Sequence, residues 1–133
     1  MAPLVLEYVR DWRATLREFH RLLRPGGHVV VSVTHPFSDF LYFRTDRYFE
    51  TELVESTWTG FGGVRMPSYR RSLEETLNPF GDAGFRIEHV LEPKPTEEMR
   101  TADPRHFEEL RRQPCFLCIR AVRVDEAPPA LAV

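Results

Sequence analysis

A single stretch, from Asp11 to Pro36, constrains the fold more than any other part of the chain. Asp11 is a favourable N-cap residue, and the apolar residues that follow it recur at helical spacing. These residues are Trp12, Leu16, Phe19 and Leu23. The pattern predicts an amphipathic helix with one apolar face. Pro-Gly-Gly at 25–27 then supplies a fixed φ followed by residues that tolerate positive φ, so we expect a sharp turn there.

The segment after this turn has the pattern of a buried β-strand. Val29 to Val33 is a nearly continuous β-branched run. Such runs are typical of strands covered on both faces, as in a parallel sheet flanked by helices. A helix that leads through a tight turn into such a strand is half of a βαβ-type layer, so we predict an α/β fold.

Residues 37–70 form a segment of different composition, rich in aromatic and charged side chains. Between positions 50 and 59, β-branched and aromatic residues alternate with glutamates, and glycines at 60–63 precede a second strand-like run. We predict an inserted antiparallel hairpin. Because open α/β sheets bind ligands at the carboxyl ends of their strands, this insertion is expected to cover a substrate pocket. The predicted pocket aromatics are Tyr42, Trp58 and Tyr69. The alternative is that most aromatic residues of the segment build a small core beneath the insertion.

The rest of the chain predicts two helices and two strands. Ser72 opens one helix with a capping box, Pro79 should kink or divide that helix, and Gly84 should end it. The other predicted elements are a strand over 85–91, a short helix from Asp103 to about Arg112 and a strand over 116–124. Residues 125–133 contain too few core residues to fold, and we predict a disordered tail.

Charge and composition exclude several classes of function. The 133 residues carry a net charge of -2, which gives no overall signal for nucleic-acid or membrane binding. No apolar run is long enough to span a bilayer, and the amino terminus lacks the features of a signal peptide, so a cytoplasmic protein is expected. Cys115 and Cys118 form a C-x-x-C motif, but a three-residue offset in a strand points two side chains to opposite faces. We therefore predict two reduced, buried thiols and no metal site.

Several motifs also resemble those of a known family. Leu-Glu-Tyr-Val at 6–9, a helix, and Leu-Arg-Pro-Gly-Gly at 23–27 lead into a valine-rich strand that ends in His35-Pro36. This order is similar to the second half of class I S-adenosylmethionine-dependent methyltransferases. The segments at 69–73, 83–87 and 92–95 resemble the helix after strand five and the sixth strand of the small-molecule, type 11-like branch.

The resemblance implies a partial Rossmann-like sheet, made of the family's strands five, six and seven with flanking helices, plus the inserted hairpin. It covers about Leu4 to Val124, so residues 1–124 would be the carboxyl-terminal half of the family's domain, with 37–70 as the substrate cover. Strand five would then lose a neighbour and expose an apolar edge. We expect that edge, at 29–34, to pair with a second copy of the chain or with a complementary amino-terminal half.

The resemblance implies roles for Glu7 and Tyr8, and its position in the predicted fold implies one for His35. Glu7 and Tyr8 lie where the family's loop after strand four borders the cofactor sulfonium and the substrate, so both are predicted to bind the cofactor. Relatives often have histidine at the position of Glu7, and packing against the next helix is the alternative for Tyr8. His35 ends the buried strand, where a histidine can act as general base toward a hydroxyl or amine nucleophile. The alternative is that His35 only hydrogen-bonds a turn before Pro36.

Two functions follow from this resemblance. The first is transfer of a methyl group from S-adenosylmethionine to a small-molecule acceptor, by a truncated or split chain. The second is a noncatalytic remnant or binding module, because the family's glycine-rich cofactor turn and its ribose-binding acidic residue have no counterpart in this sequence. Nucleic-acid binding through the arginines between Arg10 and Arg24 is disfavoured, since acidic residues interleave with them.

Overall fold

The computed structural model describes residues 1–125, apart from the side chain of Phe61. The segments before the hairpin are β1 (Ala2–Pro3), a 3-10 turn (Leu6–Tyr8), α1 (Trp12–Leu22), β2 (His28–Thr34) and α2 (Pro36–Phe43). The later segments are β3 (Glu52–Trp58), a second 3-10 turn (Thr59–Phe61), β4 (Val64–Arg70), α3 (Leu73–Asp82), β5 (Phe85–Leu91), α4 (Glu97–Ala102), α5 (Pro104–Leu110) and β6 (Phe116–Arg123). In the part of the chain so described, no helix is long and apolar enough to cross a bilayer. Apart from Asp125, the predicted tail lies outside the described residues.

The main sheet has four strands in the order β1-β2-β6-β5. β1 runs parallel to β2, whereas β6 is antiparallel to both β2 and β5. The buried valines of β2 lie opposite buried residues of β6, at the pairs Val29↔Ala121, Val31↔Ile119 and Val33↔Leu117. These pairs form the sheet side of the core, because successive side chains of a strand alternate between its faces.

Helices α1 and α3 supply the other side of the core. The Asp11 side chain accepts a hydrogen bond from the Ala14 N–H at 2.9 Å, which confirms the predicted N-cap. Trp12 and Leu16 of α1 are buried, and the Trp12 ring meets Phe80 of α3 edge to face, with ring centroids 6.5 Å apart. The predicted apolar stripe of α1 is therefore confirmed as the face that packs on the domain core.

The structure corrects two predictions about the valine-rich strand. Alternate residues of β2 are only half-buried, including Val30 and Ser32, so the strand is not equally covered on both faces. The edge of β2 is also covered in part, because Ala2 and Pro3 pair with Val31 and Ser32. The segment at 2–3 provides this cover because its backbone lies extended beside the strand before turning at Leu6–Tyr8.

Helical segments and thiols account for the other differences. α2 and α4 were not predicted, and α3 runs unbroken through Pro79, whose side chain is buried. Cys115 lies just before β6, and Cys118 lies within it; both are free thiols but only half-buried. The prediction of buried thiols was therefore wrong, because Cys115 faces a cavity and not the core.

The predicted hairpin is confirmed as a separate two-stranded sheet of β3 and β4. Its base is held by Arg70, whose side chain is completely buried. The Arg70 guanidinium donates to a Glu52 carboxylate oxygen at 2.6 Å and to the backbone carbonyl of Arg47 at 2.7 Å. One side chain thus ties the hairpin to the connection that leads into it from α2.

Replacing Gly84 by alanine is expected to destabilise the fold. Gly84 has φ +84°, and a Cβ there would lie 2.8 Å from Nε2 of His20. The left-handed conformation alone costs about 1–2 kcal/mol for a residue with a side chain. Urea unfolding measures the effect, with Gly81→Ala as the matched control. A Cβ at Gly81 meets nothing within 4 Å, so in helix α3 it should stabilise by about 0.5–1 kcal/mol. Equal effects of the two substitutions would contradict the prediction.

Candidate active site

A cavity of about 490 Å³ lies at the carboxyl ends of β1 and β2. The first 3-10 turn, α2, the hairpin, α5 and the segment before β6 all contribute to its wall. The functional groups on this wall include those of Glu7, Tyr8, Asp39, Tyr42, Trp58, Glu109 and Cys115. Crevices at the carboxyl ends of strands are where open α/β sheets bind ligands. The cavity therefore has both the position and the polar groups of a binding site.

The first 3-10 turn holds Glu7 and Tyr8 in the cavity wall. The Trp12 indole N–H donates to the Leu6 carbonyl at 2.7 Å, and Arg71 Nη2 donates to the Val9 carbonyl at 2.7 Å. The Arg71 guanidinium also lies 4.4 Å from the centroid of the Trp12 ring. These contacts tie both ends of the turn to α1 and to the start of α3, which fixes where the two side chains emerge.

Glu7 closes the end of β2. Its Oε2 accepts a hydrogen bond from the Thr34 N–H at 3.2 Å. Burial raises the pKa of Glu7, while the bond from Thr34 lowers it by a smaller amount. The carboxyl group is therefore less acidic than an exposed glutamate. The hydrogen bond from Thr34 also holds this carboxyl group at the end of β2, beside the cavity.

Asp39 is the most perturbed acid of the cavity. Burial, and then the nearby charge of Glu7, raise the pKa of Asp39 to about 7, against the lowering effect of Arg70. A carboxyl group with such a pKa exchanges its proton near neutral pH. The Cys115 thiol is the opposite case, because burial and then the charges of Glu109 and Asp39 raise its pKa above the ordinary value. Asp39 is therefore suited to acid–base chemistry, and Cys115 is kept as an unreactive thiol.

Residues 3–90 match the sequence model of a methyltransferase domain family. The chain belongs to this family. No curated protein matches it. The sheet order continues the family pattern that the resemblance implied, with β2, β6 and β5 in the places of strands five, seven and six. The predicted class I S-adenosylmethionine-dependent methyltransferase fold is thus confirmed. It is an α/β fold with a mixed sheet and a separate antiparallel hairpin.

Solved structures of methyltransferases support the same fold. A candidate S-adenosylmethionine-dependent methyltransferase from Listeria monocytogenes is similar with a TM-score of 0.79 and 23% identity, over 92% of this chain and 60% of that one. An S-adenosylmethionine-dependent methyltransferase from Mesorhizobium loti has 33% identity and a TM-score of 0.63, over 91% of this chain and 59% of that one. One from Methanosarcina mazei has 17% identity and a TM-score of 0.62, over 93% and 57%. The chain therefore spans about three fifths of the length of these structures.

Four of the six residues predicted for the site of this methyltransferase domain lie together in the cavity wall. They are Glu7, Tyr8, Tyr42 and Trp58. Tyr69 is not among the lining residues, although its neighbour Ser68 is. Successive side chains of a strand point to opposite faces. Because the side chain of Ser68 points toward the cavity, that of Tyr69 points away from it. The roles of all these residues stay predictions.

His35 lies beside the cavity and not in its lining. Its Nδ1 accepts a hydrogen bond from the Phe37 N–H at 3.1 Å, and its Nε2 lies 2.9 Å from Oε1 of Glu92. Because Nδ1 accepts, the ring proton lies on Nε2 and is donated to Glu92. The bond from Phe37 is the turn-capping contact weighed above as the alternative. Together with the contact to Glu92, it occupies both ring nitrogens. The role of His35 as general base stays a prediction.

Asp39 is the functional residue that the sequence analysis missed. It lies in the first turn of α2, a helix that begins at Pro36 with His35 as its N-cap. Proline is frequent at the first position of a helix, so the His-Pro pair was a usable signal for a helix start. The electrostatic interaction of Asp39 with Glu7 could not be predicted from any local pattern, because the two residues are 32 positions apart in the sequence.

Replacing Asp39 by asparagine is expected to stabilise the methyltransferase domain at alkaline pH. The pKa of Asp39 is about 7 in the folded state against 3.8 for an ordinary aspartate, so folding is disfavoured as the pH rises from about 4 to about 7. Asparagine carries no such penalty. We expect the variant to gain about 1–3 kcal/mol over the wild type at pH 8, and little at pH 4. Urea unfolding at several pH values measures this gain. A gain independent of pH would contradict it.

Proposed function

We propose that this chain forms the acceptor-binding part of an S-adenosylmethionine-dependent methyltransferase that acts on a small molecule. The observation that carries the proposal is the cavity at the carboxyl ends of β1 and β2, walled by the inserted hairpin. Membership of the methyltransferase family supports the reaction class, and the cavity volume of about 490 Å³ supports a small acceptor.

The described residues fit only part of the cofactor. Glu7 and Tyr8 would lie beside its reactive end, by analogy with the family, and their carboxylate and ring suit a sulfonium cation. Within residues 1–125, however, every glycine follows a helix, lies in one or joins two strands, and none forms a strand-to-helix turn. S-adenosylmethionine supplies an electrophilic methyl group when bound. The residues described here would bind and orient the acceptor, exclude water and accept its proton.

Calorimetric titration with S-adenosylhomocysteine tests this proposal, with the mass in solution determined on the same sample. Saturable binding, together with methyl transfer to an acceptor, is the expected result for an enzyme. We also propose that the strand at 29–34 pairs with a second copy or with a complementary amino-terminal half, and the mass tests that. A folded chain that binds no S-adenosylhomocysteine, alone or with an added amino-terminal half, would favour the noncatalytic binding module instead.

A further inference from the structure

The wall of the cavity is acidic. The carboxyl groups of Glu7, Asp39 and Glu109 line it, whereas no arginine or lysine of residues 1–125 does so. Arg70, whose charge acts on Asp39, is completely buried and donates to the Glu52 carboxylate and to backbone carbonyls. Its donors are therefore already used. A ligand in this cavity therefore contacts carboxyl groups, whereas no lysine or arginine side chain of residues 1–125 lines the wall beside them.

Aromatic rings complete this wall. Tyr8 follows Glu7 in the chain, and Tyr42 of α2 and Trp58 of the hairpin line the same cavity. Tyr42 also meets Phe43 edge to face, with ring centroids 4.8 Å apart. Aromatic faces attract organic cations, and carboxylates form short, charge-assisted hydrogen bonds with ammonium groups. The lining thus combines the two kinds of group that recognise an amine attached to an apolar body.

Resting on the function proposed above, we propose that the methyl acceptor is an amine, bound as its ammonium ion between Glu7 and Asp39 with its apolar part against Tyr42 and Trp58. The ammonium nitrogen has no free electron pair and cannot attack a methyl group. One carboxylate therefore has to take a proton from it. In that step an N–H bond breaks, an O–H bond forms on Asp39, and the electron pair stays on nitrogen.

Linkage between binding and protonation follows from the position of Asp39. Its pKa is about 7 in the empty cavity, so near neutral pH part of the population must lose this proton before it can hold a cation. The titratable and charged groups that face Asp39 come from four other segments. They are Glu7, Tyr8, Arg70, Glu109 and Cys115. An alkyl ammonium stays protonated from pH 5.5 to pH 8, so a rise in affinity over that range reports the acids of the cavity and not the probe.

Three probes of matched shape test the proposal on the complete chain: 2-phenylethylamine, 2-phenylethanol and 3-phenylpropionate. We expect the amine to bind at least about 10-fold more tightly than the alcohol at pH 8, and the carboxylate to bind least. The affinity for the amine should rise by up to about tenfold per pH unit below pH 7 and level off above it. Equal affinities for amine and alcohol, or a flat pH profile, would overturn the proposal.

Isosteric variants locate the charge that is responsible. Glu7→Gln and Asp39→Asn should each lower the affinity for the amine by about 10-fold and leave that for the alcohol unchanged. Glu55→Gln, on an exposed part of the hairpin that does not line the cavity, is the matched control and should change neither. Far-UV circular dichroism checks that each variant is folded, and the pH profile of the wild type stands without them. Loss of alcohol binding in step with amine binding would overturn the assignment.

S-adenosylhomocysteine separates this inference from the proposed function. If the amine and S-adenosylhomocysteine bind together, both stand. If S-adenosylhomocysteine binds but the cavity binds the amine no more tightly than the alcohol, the acceptor class is overturned and the methyltransferase function stands. If S-adenosylhomocysteine displaces the amine competitively, the carboxylates belong to the cofactor site, and the acceptor class is again overturned. If only the amine binds, even after an amino-terminal half is added, the charge selectivity stands and the methyltransferase function of this chain fails.

Discussion

Replacing Arg70 by alanine is expected to lower the free energy of unfolding by about 3–5 kcal/mol, which is the usual loss when one partner of a buried ion pair is removed. The Arg70 side chain is completely buried, and its guanidinium donates at 2.6–3.1 Å to one carboxylate and three backbone carbonyls. Removing it takes one partner from the Glu52 carboxylate, which is 12% exposed, and one donor from each of the three carbonyls. Urea unfolding followed by circular dichroism measures the loss.

Arg65 provides the matched control for Arg70. It lies on the same strand and also pairs with a glutamate, Glu55, but its side chain is 76% exposed. Because exposed ion pairs contribute about 0–1 kcal/mol, Arg65→Ala should change stability little. The double variant Arg70→Met with Glu52→Gln should recover part of the loss, since it also removes the Glu52 charge, which would otherwise keep only Arg47 and Thr45 as partners among residues 1–125. A loss below about 1 kcal/mol for Arg70→Ala would show that the hairpin base does not depend on this network.

Arg70 also shows why the base of the hairpin was not predictable. The strands around it follow from alternation and from the glycine turn at 60–63, both of which are local patterns. The pairing of Arg70 with the carbonyls of Arg47 and Glu50 depends on how the connection from α2 folds back. The sequence around an arginine at the end of a strand does not show whether its side chain is buried or exposed. Only the tertiary structure separates Arg70 from Arg65.

The candidate site divides in a similar way. Tyr42 and Trp58 were predicted from an aromatic-rich insertion, and Glu7 and Tyr8 from the family resemblance; all four line the cavity. Tyr69 points away from the cavity because of the register of β3 against β4, and composition does not determine that register. Asp39 was missed because no helix was predicted after Pro36, where the structure has α2. Elements with strong periodicity were thus predictable, whereas side-chain partners across elements were not.

Replacing Asp39 by asparagine is expected to lower the rate of methyl transfer by about 10²–10⁴-fold, the usual contribution of a general base. The amide keeps the shape of the carboxyl group but cannot accept the proton of the acceptor. Binding of S-adenosylhomocysteine should change little, because the loss concerns proton transfer. Single-turnover methyl transfer by the chain, or by an enzyme reconstituted with an amino-terminal half, measures the rate. Because the same substitution should stabilise the fold at pH 8, loss of activity through unfolding is separable from loss of the base.

His35→Asn is the decisive comparison, since His35 is the general base predicted from its position at the end of the buried strand. Asparagine is a good N-cap residue, so this variant should retain the cap of α2 and lose only the contact of Nε2 with Glu92. If Asp39 is the base, His35→Asn should retain turnover within a few-fold, because neither ring nitrogen of His35 is free for the acceptor. If instead His35→Asn abolishes turnover and Asp39→Asn does not, proton transfer passes through the histidine. The ring would then have to leave Phe37 and Glu92 when the acceptor binds.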